Sequence, residues 1–211
     1  MQNYVVFEKE KVYPSKIVCV GRNYVKHIRE LNNEIPDDIV LFIKPNSSIG
    51  KPEFKRYDYP IHYEGEISFL VGKSVKYGDI IDASVFKGIG FGIDFTMRTL
   101  QKKLKEKGLP WEKAKAFDGG ALFSEFKSIP TNMNLENIEF SLRINGELKQ
   151  TSSSSYMLFK PLTIVKKIVE FFSLDENDII MTGTPEGVGE AHRGDLFEYE
   201  IKDILSGSFK L

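Results

Sequence analysis

The sequence has little of three features that often reveal a protein's class: cysteine, long apolar runs and an excess of one charge. Its 211 residues contain a single cysteine, Cys19, so no internal disulfide can form. No apolar run approaches the ~20 residues that a membrane-spanning helix needs. Lysine and arginine number 29 against 30 aspartates and glutamates, and this balance favours neither a nucleic-acid nor a membrane partner.

The N-terminus lacks the pattern of a secretory signal, since residues 1–4 lead straight into the charged residues 8–11. We therefore expect a cytoplasmic protein, with Cys19 as an inert core residue of a short apolar strand. The length suffices for one sizeable core. We predict a single catalytic domain over residues 1–211, in which residues 1–15 are a short N-terminal extension and residues 16–211 form the main body.

The most informative stretch is residues 61–71, where apolar and polar side chains alternate. This period of two predicts a half-buried strand, with Glu64 and Glu66 on the face opposite the apolar one. Adjacent carboxylates repel each other, so a functional pair needs a cation, and carboxylate oxygens suit Mg²⁺ or Mn²⁺. By itself, an exposed strand face explains the pair at least as well.

A second strand is predicted around residues 87–97, and Asp94 stands near its end. The alternate positions before Asp94 are glycines, which in a strand usually mark a close approach by another group. We interpret that face as free of side chains, which would leave room beside the Asp94 carboxylate and make it a good third ligand of a metal ion. The spacing of these glycines does not fit the dinucleotide-binding fingerprint.

His27 and Glu30 are three apart on a predicted short helix, for which Asn23 is a plausible N-cap. A carboxylate beside an imidazole raises its basicity and orients it, which is how a general base is built. The residues alone favour the simpler interpretation, an exposed ion pair on a small helix. The turn-rich residues that follow suggest that the segment 23–38 is a mobile lid.

Other polar residues are candidates for contact with a substrate, although each also fits an ordinary surface position. Arg98 and Gln101 share a face of a helix predicted to end at Gly108. One lysine of the segment 111–117 is expected to point inward, and periodicity does not say which. Hydroxyls and N–H groups of residues 182–189 could hold a small anion. The candidate substrate contacts are Arg22, Lys44, Arg98, Gln101 and Thr184.

The C-terminal half is predicted to be rich in strands. Asn145-Gly146 between two alternating segments indicates a hairpin, and Pro161 opens an apolar helical period. The serines at 152–155 are expected to form a flexible loop. Residues 178–185 are predicted to be a strand that runs into a tight turn.

Six motifs occur in order along almost the whole chain, and together they resemble the fumarylacetoacetate hydrolase family. The resemblance is greatest to its short acylpyruvase branch, which also covers members that act on oxaloacetate. Asp118-Gly119-Gly120 and the serine run depart from that branch, which leaves the substrate open. The motifs are Gly21-x-Asn23-Tyr24-x-x-His27-x-x-Glu30, Phe42-x-Lys44-Pro45, Glu64-x-Glu66, Asp94-x-Thr96-x-Arg98-x-x-Gln101, Trp111-x-x-x-Lys115 and Thr182-Gly183-Thr184-Pro185.

The resemblance implies an α+β, β-rich fold: a mixed β-sandwich roll with a few short helices, assembled as a homodimer. It implies a Mg²⁺ or Mn²⁺ ion held by Glu64, Glu66 and Asp94. It also implies that His27 and Glu30 form a base dyad on a lid and that Lys115 contacts the substrate, a small 2-keto acid.

We rank first a metal-dependent hydrolase that cleaves the C3–C4 bond of acylpyruvates to pyruvate and a carboxylic acid. The resident ion would act as a Lewis acid on the 2-ketone. The same site could serve an oxaloacetate decarboxylase, an oxaloacetate tautomerase or a 2-hydroxyhepta-2,4-diene-1,7-dioate isomerase. The alternative outside enzymes is a β-rich binding domain whose carboxylates are solvated.

Overall fold

Two β-sheets packed face to face form the body of the protein, and two further sheets have two strands each, as described by a computed structural model for residues 2–31 and 34–211. Those residues form 15 strands and four α-helices. The strands are β1 (Val5–Phe7), β2 (Glu10–Val12), β3 (Lys16–Gly21), β4 (Val40–Pro45), β5 (His62–Tyr63), β6 (Gly65–Val71), β7 (Phe86–Asp94), β8 (Ala121–Phe123), β9 (Lys127–Ser128), β10 (Glu139–Ile144), β11 (Glu147–Ser153), β12 (Ile179–Met181), β13 (Gly189–Glu190), β14 (Leu196–Ile201) and β15 (Leu205–Lys210). The helices are α1 (Val25–Glu30), α2 (Arg98–Glu106), α3 (Glu112–Lys115) and α4 (Pro161–Val169).

The larger sheet is mixed and has seven strands. Six follow the order β4-β3-β12-β6-β7-β8, and β9 also pairs with β7. Strand β12 is parallel to β3 and antiparallel to β6. The smaller sheet is antiparallel, in the order β11-β10-β14-β15. Strands dominate and helices are few, so the predicted β-rich α+β class is confirmed.

Aromatic side chains fill the space between the two sheets. The ring of Phe91 from β7 stacks on Tyr199 from β14 with their centroids 5.2 Å apart. Tyr63 meets Phe197 edge-on at 5.5 Å. Rings of this size bury large apolar areas, so these contacts account for much of the attraction between the sheets.

Strand β6 is buried on both faces, which corrects the prediction of a half-buried strand. The period of two is present, because Ile67 and Phe69 point into the core between the sheets. Leu70, which faces the other way, packs into a second apolar cluster. Every residue of β6 is buried. A strand in the middle of a sheet that is covered on both sides has no solvated face. Glu66, the second residue of β6, is therefore buried too.

The glycines before Asp94 are closely packed, which corrects the idea of an open face beside them. A methyl group at Gly92 would lie 2.4 Å from the hydroxyl oxygen of Ser68 and 3.0 Å from the end of Met181. At Gly90 it would meet the ring of Phe126 at 3.0 Å. The glycines therefore admit neighbouring side chains against β7, and they leave no space for a ligand.

The hairpin at Asn145-Gly146 and the helix that begins at Pro161 are confirmed. Both turn residues have positive φ, 54° and 82°, as a two-residue hairpin of this kind requires. The serine run is not a flexible loop. Strand β11 continues to Ser153, and the buried Ser154 accepts a hydrogen bond from the N–H of Ile138 at 2.8 Å.

Helix α1 begins at Val25, and its N-cap residue is Tyr24, so the prediction of Asn23 as N-cap is wrong. Asn23 instead joins two other loops: its amide donates to the carbonyl of Thr182 at 2.8 Å and accepts from the N–H of Phe159 at 2.7 Å.

The predicted lid, 23–38, includes residues 32 and 33, which lie outside the described residues. The predicted division of the chain at residue 15 stays a prediction. Within the described part of the chain, no helix has the length and apolar character to cross a membrane.

Candidate active site

Three carboxylates meet where the adjacent strands β6 and β7 leave the core. Glu64 lies in the break between β5 and β6, Glu66 is the second residue of β6, and Asp94 ends β7. The backbone N–H of Asp94 donates to the carbonyl of Glu64 at 2.9 Å, which fixes the two residues side by side. One carboxylate oxygen from each of the three lies within 4.8 Å of the others. All three are at most 6% exposed.

Lys115, at the end of α3, provides the main charge compensation. Its ammonium lies 2.6 Å from Asp94 Oδ2, 2.9 Å from Glu64 Oε2 and 2.6 Å from Thr96 Oγ1. Burial by itself lowers the pKa of Lys115, but the charges of Asp94 and Glu64 raise it above its ordinary value. Lys115 is therefore the inward-pointing lysine that periodicity could not choose, and it is charged.

Glu64 has a second cationic partner. The guanidinium of Arg98, at the start of α2, donates to Glu64 Oε1 and, at 3.0 Å, to Gln101. Burial by itself would raise the pKa of Glu64, but Lys115 and Arg98 hold it well below its usual range. Glu64 is therefore ionised although it is buried.

Glu66 is held by the backbone of a neighbouring turn. The N–H of Gly183 donates to Glu66 Oε2 at 2.7 Å. The sequence predicted that residues 182–189 could hold a small anion. The N–H of Gly183 in that segment binds the carboxylate of Glu66 instead. Burial raises the pKa of Glu66 well above its ordinary value, and the nearby charges of Asp94 and Glu64 raise it further. Glu66 is the carboxylate that gains most from an added cation.

Lys44 was predicted to contact substrate, but the structure places it beneath the site. Its ammonium is fully buried and donates to the carbonyls of Phe95 (3.2 Å), Gly120 (2.9 Å) and Lys115. It also lies 2.7 Å from Asp94 Oδ1. In this arrangement Lys44 does not line the cavity described below. It supports Asp94 and the chain that carries Lys115.

The donor set fits a divalent cation. Three buried carboxylates supply the hard oxygen ligands that Mg²⁺ and Mn²⁺ prefer. Asp94 Oδ1, although close to Lys44, accepts no well-directed hydrogen bond within the described residues, so it retains capacity for another ligand. Glu64, Glu66 and Asp94 would hold the ion, and Lys115 would have to shift from its position among them.

His27 and Glu30 pair as the sequence predicts. Nδ1 of His27 lies 3.0 Å from Glu30 Oε2, and the N–H of Gly187 donates to Glu30 Oε1 at 3.0 Å. The His27 side chain is buried, while that of Glu30 is about one-third exposed, 34%. The dyad is thus tied to the loop after β12, and Nε2 of His27 is left to act on a substrate.

A small cavity of about 40 Å³ is lined by His27 of the dyad and by Glu64 of the carboxylate group. That volume holds only a few water molecules, so entry of a small acid requires lining side chains to move. Of the predicted substrate contacts, all except Lys44 line it. Its polar and aromatic lining includes Arg22, His27, Glu64, Arg98, Gln101, Lys105, Trp111, Lys115 and Thr184.

Gln150, which belongs to none of the six motifs, joins the two halves of the site. Its side-chain oxygen accepts from the N–H of Gly65 at 2.9 Å, and its nitrogen donates to Thr184 Oγ1 at 2.9 Å and to the carbonyl of Pro185 at 3.1 Å. Gly65 stands between the two glutamates, so Gln150 ties them to the turn that binds Glu66. An inward position in β11 was its sole signal.

Two packed sheets that bury a Glu-Glu-Asp group beside a histidine–glutamate dyad define a β-rich protein with a candidate metal site of three carboxylates. The chain belongs to the fumarylacetoacetate hydrolase family: the family model described as Fumarylacetoacetate (FAA) hydrolase C-terminal matches residues 16–208. The family predicted from the six motifs is therefore confirmed.

Three relatives indicate the range of activities around this chain. It is 37% identical to the oxaloacetate tautomerase YcgM of Escherichia coli, over 87% of each chain. It is 35% identical to a mitochondrial oxaloacetate tautomerase of Bos taurus, over 92% of this chain and 90% of that one. It superposes with a TM-score of 0.87 on fumarylpyruvate hydrolase from Pseudomonas aeruginosa in complex with Mn²⁺ and pyruvate, at 27% identity, covering 98% of this chain and 94% of the other.

Proposed function

We propose that this protein is an oxaloacetate tautomerase that interconverts the keto and enol forms of its substrate with the help of a divalent cation. The observation that carries the proposal is that His27 and Lys115 line one cavity beside Glu64. The two relatives reported above with the highest identity are named as oxaloacetate tautomerases. From the sequence, we ranked acylpyruvate hydrolysis first among the candidate functions. The proposal places the tautomerase first instead.

Tautomerisation requires a base for the proton on C3 and a stabiliser for the charge that develops on the oxygen at C2. His27, oriented by Glu30 at 3.0 Å, takes the proton from C3 of the keto form and delivers it to the C2 oxygen to give the enol, and the reverse transfer gives the keto form. The ammonium of Lys115 stabilises the developing negative charge, in a buried site where such an interaction is strong. The divalent ion, when bound, would supply further Lewis-acid stabilisation of that oxygen.

Acylpyruvate hydrolysis is the second candidate, because a fumarylpyruvate hydrolase has the same fold. Hydrolysis would use the same dyad differently: His27 would deprotonate a water that attacks C4 of the substrate. Lys115 would then stabilise the enolate left on the pyruvate half. The added requirement is room for that water in a cavity of about 40 Å³.

The choice of metal and the assembly belong to the proposal as well. Mg²⁺ and Mn²⁺ both suit three carboxylates, and thermal unfolding with each ion in turn would rank them. The homodimer implied by the family resemblance stays a prediction, which light scattering at working concentration would test.

The deciding experiment compares oxaloacetate with acetylpyruvate. Wild-type protein with Mg²⁺ should accelerate the decay of enol-oxaloacetate, and His27→Asn should lower that rate by on the order of 10²–10⁴. His192→Asn is the matched control, because His192 is 65% exposed and lies outside the cavity lining. Cleavage of acetylpyruvate without acceleration of the oxaloacetate interconversion would make hydrolysis the function. Full activity of His27→Asn would refute the dyad's role in either reaction.

A further inference from the structure

The cavity above the carboxylates is lined by an excess of basic side chains. Four of the lining residues are basic, Arg22, Arg98, Lys105 and Lys115, while Glu64 is the one carboxylate among the described lining residues. Such a lining attracts anions, and its excess of positive charge increases when the site also holds a divalent ion. A substrate with two negative charges therefore suits it better than one with a single charge.

Lys105 differs from the two basic residues that bind Glu64. Arg98 and Lys115 are both engaged by that carboxylate. Across residues 2–31 and 34–211, no carboxylate oxygen lies within 4.0 Å of the Lys105 ammonium. Its neighbour is the face of Trp111, with the nitrogen 4.4 Å from the ring centroid. This half-buried cation is positioned by an aromatic ring and has no anionic partner.

The surroundings of Lys105 are unfavourable for a charge in the ligand-free protein. Burial, followed by the nearby charges of Arg22, Lys115 and Arg98, lowers the pKa of Lys105 to about 8. Its place on α2 keeps it there, because residues 98, 101 and 105 share one face of the helix and turn toward the cavity. A cation held against other cations is stabilised when an anion enters between them.

We infer that Lys105 binds the distal carboxylate of the substrate and makes the site selective for 2-oxo dicarboxylic acids over acids with a neutral tail. The inference rests on the proposed function, because it places the reacting end of the molecule at Lys115 and the carboxylate cluster. The opposite end then lies toward α2 and Trp111, where the Lys105 ammonium forms no ion pair with a carboxylate of the described residues. Lys105 is thus a specificity-determining residue and takes no part in the proton transfer.

The test measures binding in the presence of saturating Mg²⁺, using two ligands that differ at the distal end. Pyruvate lacks the second carboxylate, whereas 3,3-difluoro-oxaloacetate has it and cannot enolise. Calorimetry should show that Lys105→Met weakens binding of the dicarboxylate by on the order of tenfold to a hundredfold, as expected for loss of one charged hydrogen bond. Affinity for pyruvate should be unchanged, and Lys105→Arg should retain most of the dicarboxylate affinity.

Lys103→Met is the matched control. Lys103 also lies in the last turn of α2 and over an aromatic ring, that of Tyr59 at 5.1 Å, but it is exposed and outside the cavity lining. Its replacement should leave both affinities as in the wild type. With oxaloacetate as substrate, Lys105→Met should raise KM and leave kcat nearly unchanged.

Equal affinity of the wild type for the two ligands would overturn the inference, as would an equal loss of both affinities in Lys105→Met. Failure of the proposed function gives a different result. In that case the wild type would not accelerate interconversion of oxaloacetate at all, while the comparison of the two inert ligands would still decide what Lys105 does.

Discussion

The ammonium nitrogen of Lys115 lies 2.6 Å from Oδ2 of Asp94, inside the group of carboxylates that would hold a metal ion. In the ion-free protein, Lys115 therefore supplies part of the charge that the ion would bring. The two cations compete for the same oxygens, so the electrostatics of the site differ between the ion-free and the ion-bound protein.

Replacing Lys115 should destabilise the ion-free protein and make it more dependent on metal. Lys115→Met leaves Glu64 and Asp94 buried with less compensation, and breaking such an arrangement costs about 3 kcal/mol. Chemical unfolding with chelator, and then with Mg²⁺, should show a larger stabilisation by the ion in the variant than in the wild type. Lys113→Met, an exposed position on the same helix, should behave like the wild type. An equal response of the two variants to Mg²⁺ would contradict this account.

Glu66 should give the protein a characteristic dependence of stability on pH. Because its folded-state pKa is raised, the folded protein retains a proton that the unfolded chain loses, so the free energy of unfolding falls as pH rises above about 4.5 through the raised value. Glu66→Gln removes that part of the fall, and without metal it should be at least as stable as the wild type at pH 8. It should also lose stabilisation by Mg²⁺.

The control for Glu66→Gln is Glu136→Gln, at an exposed position. Melting curves recorded across the pH range with chelator should coincide for the control and the wild type. A Glu66→Gln protein that is less stable than the wild type at pH 8, or one that is still stabilised by Mg²⁺, would be inconsistent with the role assigned to Glu66.

Gln150 should prove important for both stability and metal affinity. Gln150→Met keeps the approximate size but leaves the buried N–H of Gly65 without its acceptor, which costs about 1–3 kcal/mol. Because Gly65 separates Glu64 from Glu66, the affinity for Mn²⁺ measured by calorimetry should also fall. Thr151→Ala, on the same strand and exposed, is the control and should change neither quantity. Unaltered ion affinity in Gln150→Met would limit Gln150 to a packing role.

Lys105 should lower the stability of the ligand-free protein. Its folded-state pKa of about 8 is below the value of ~10.4 in an unfolded chain, so between these pH values the unfolded chain binds more protons and stability rises with pH. Below pH 8, Lys105→Met should therefore be more stable than the wild type, and the difference should disappear near pH 10. Urea unfolding at pH 7 and pH 10 measures it. A variant that is less stable at pH 7 would contradict the unfavourable environment described for this lysine.

The strand pattern and the site could be predicted from local signals. Alternation placed Ile67 and Phe69 on one face of β6, and the hairpin turn at Asn145-Gly146 followed from residues that tolerate positive φ. The six motifs led to the family, and with it to residues that the structure places around one cavity. His27 and Glu30 could be paired because helical spacing fixes their separation.

The partners across the sheet could not be predicted, because they depend on which strands become neighbours. From the sequence, the glycines of β7 were interpreted as leaving open space beside the strand. In the structure Met181 and Phe126, which are distant in sequence, pack against them. Lys44 looked like a substrate contact until its ammonium was found among carbonyls of other segments. Gln150 had no motif at all. Alternation shows which way a side chain points and leaves open what it meets there.

The most direct test of the account is the decay of enol-oxaloacetate, followed by its absorbance, with wild-type protein and Glu66→Gln in the presence of Mg²⁺ or chelator. We expect the wild type to accelerate the decay with Mg²⁺, and chelator to abolish most of that acceleration. Glu66→Gln should show, under both conditions, no more than the residual rate of the wild type in chelator. A Glu66→Gln protein as active as the wild type, or wild-type acceleration that persists unchanged in chelator, would contradict the central claim that these carboxylates hold a metal ion for this reaction.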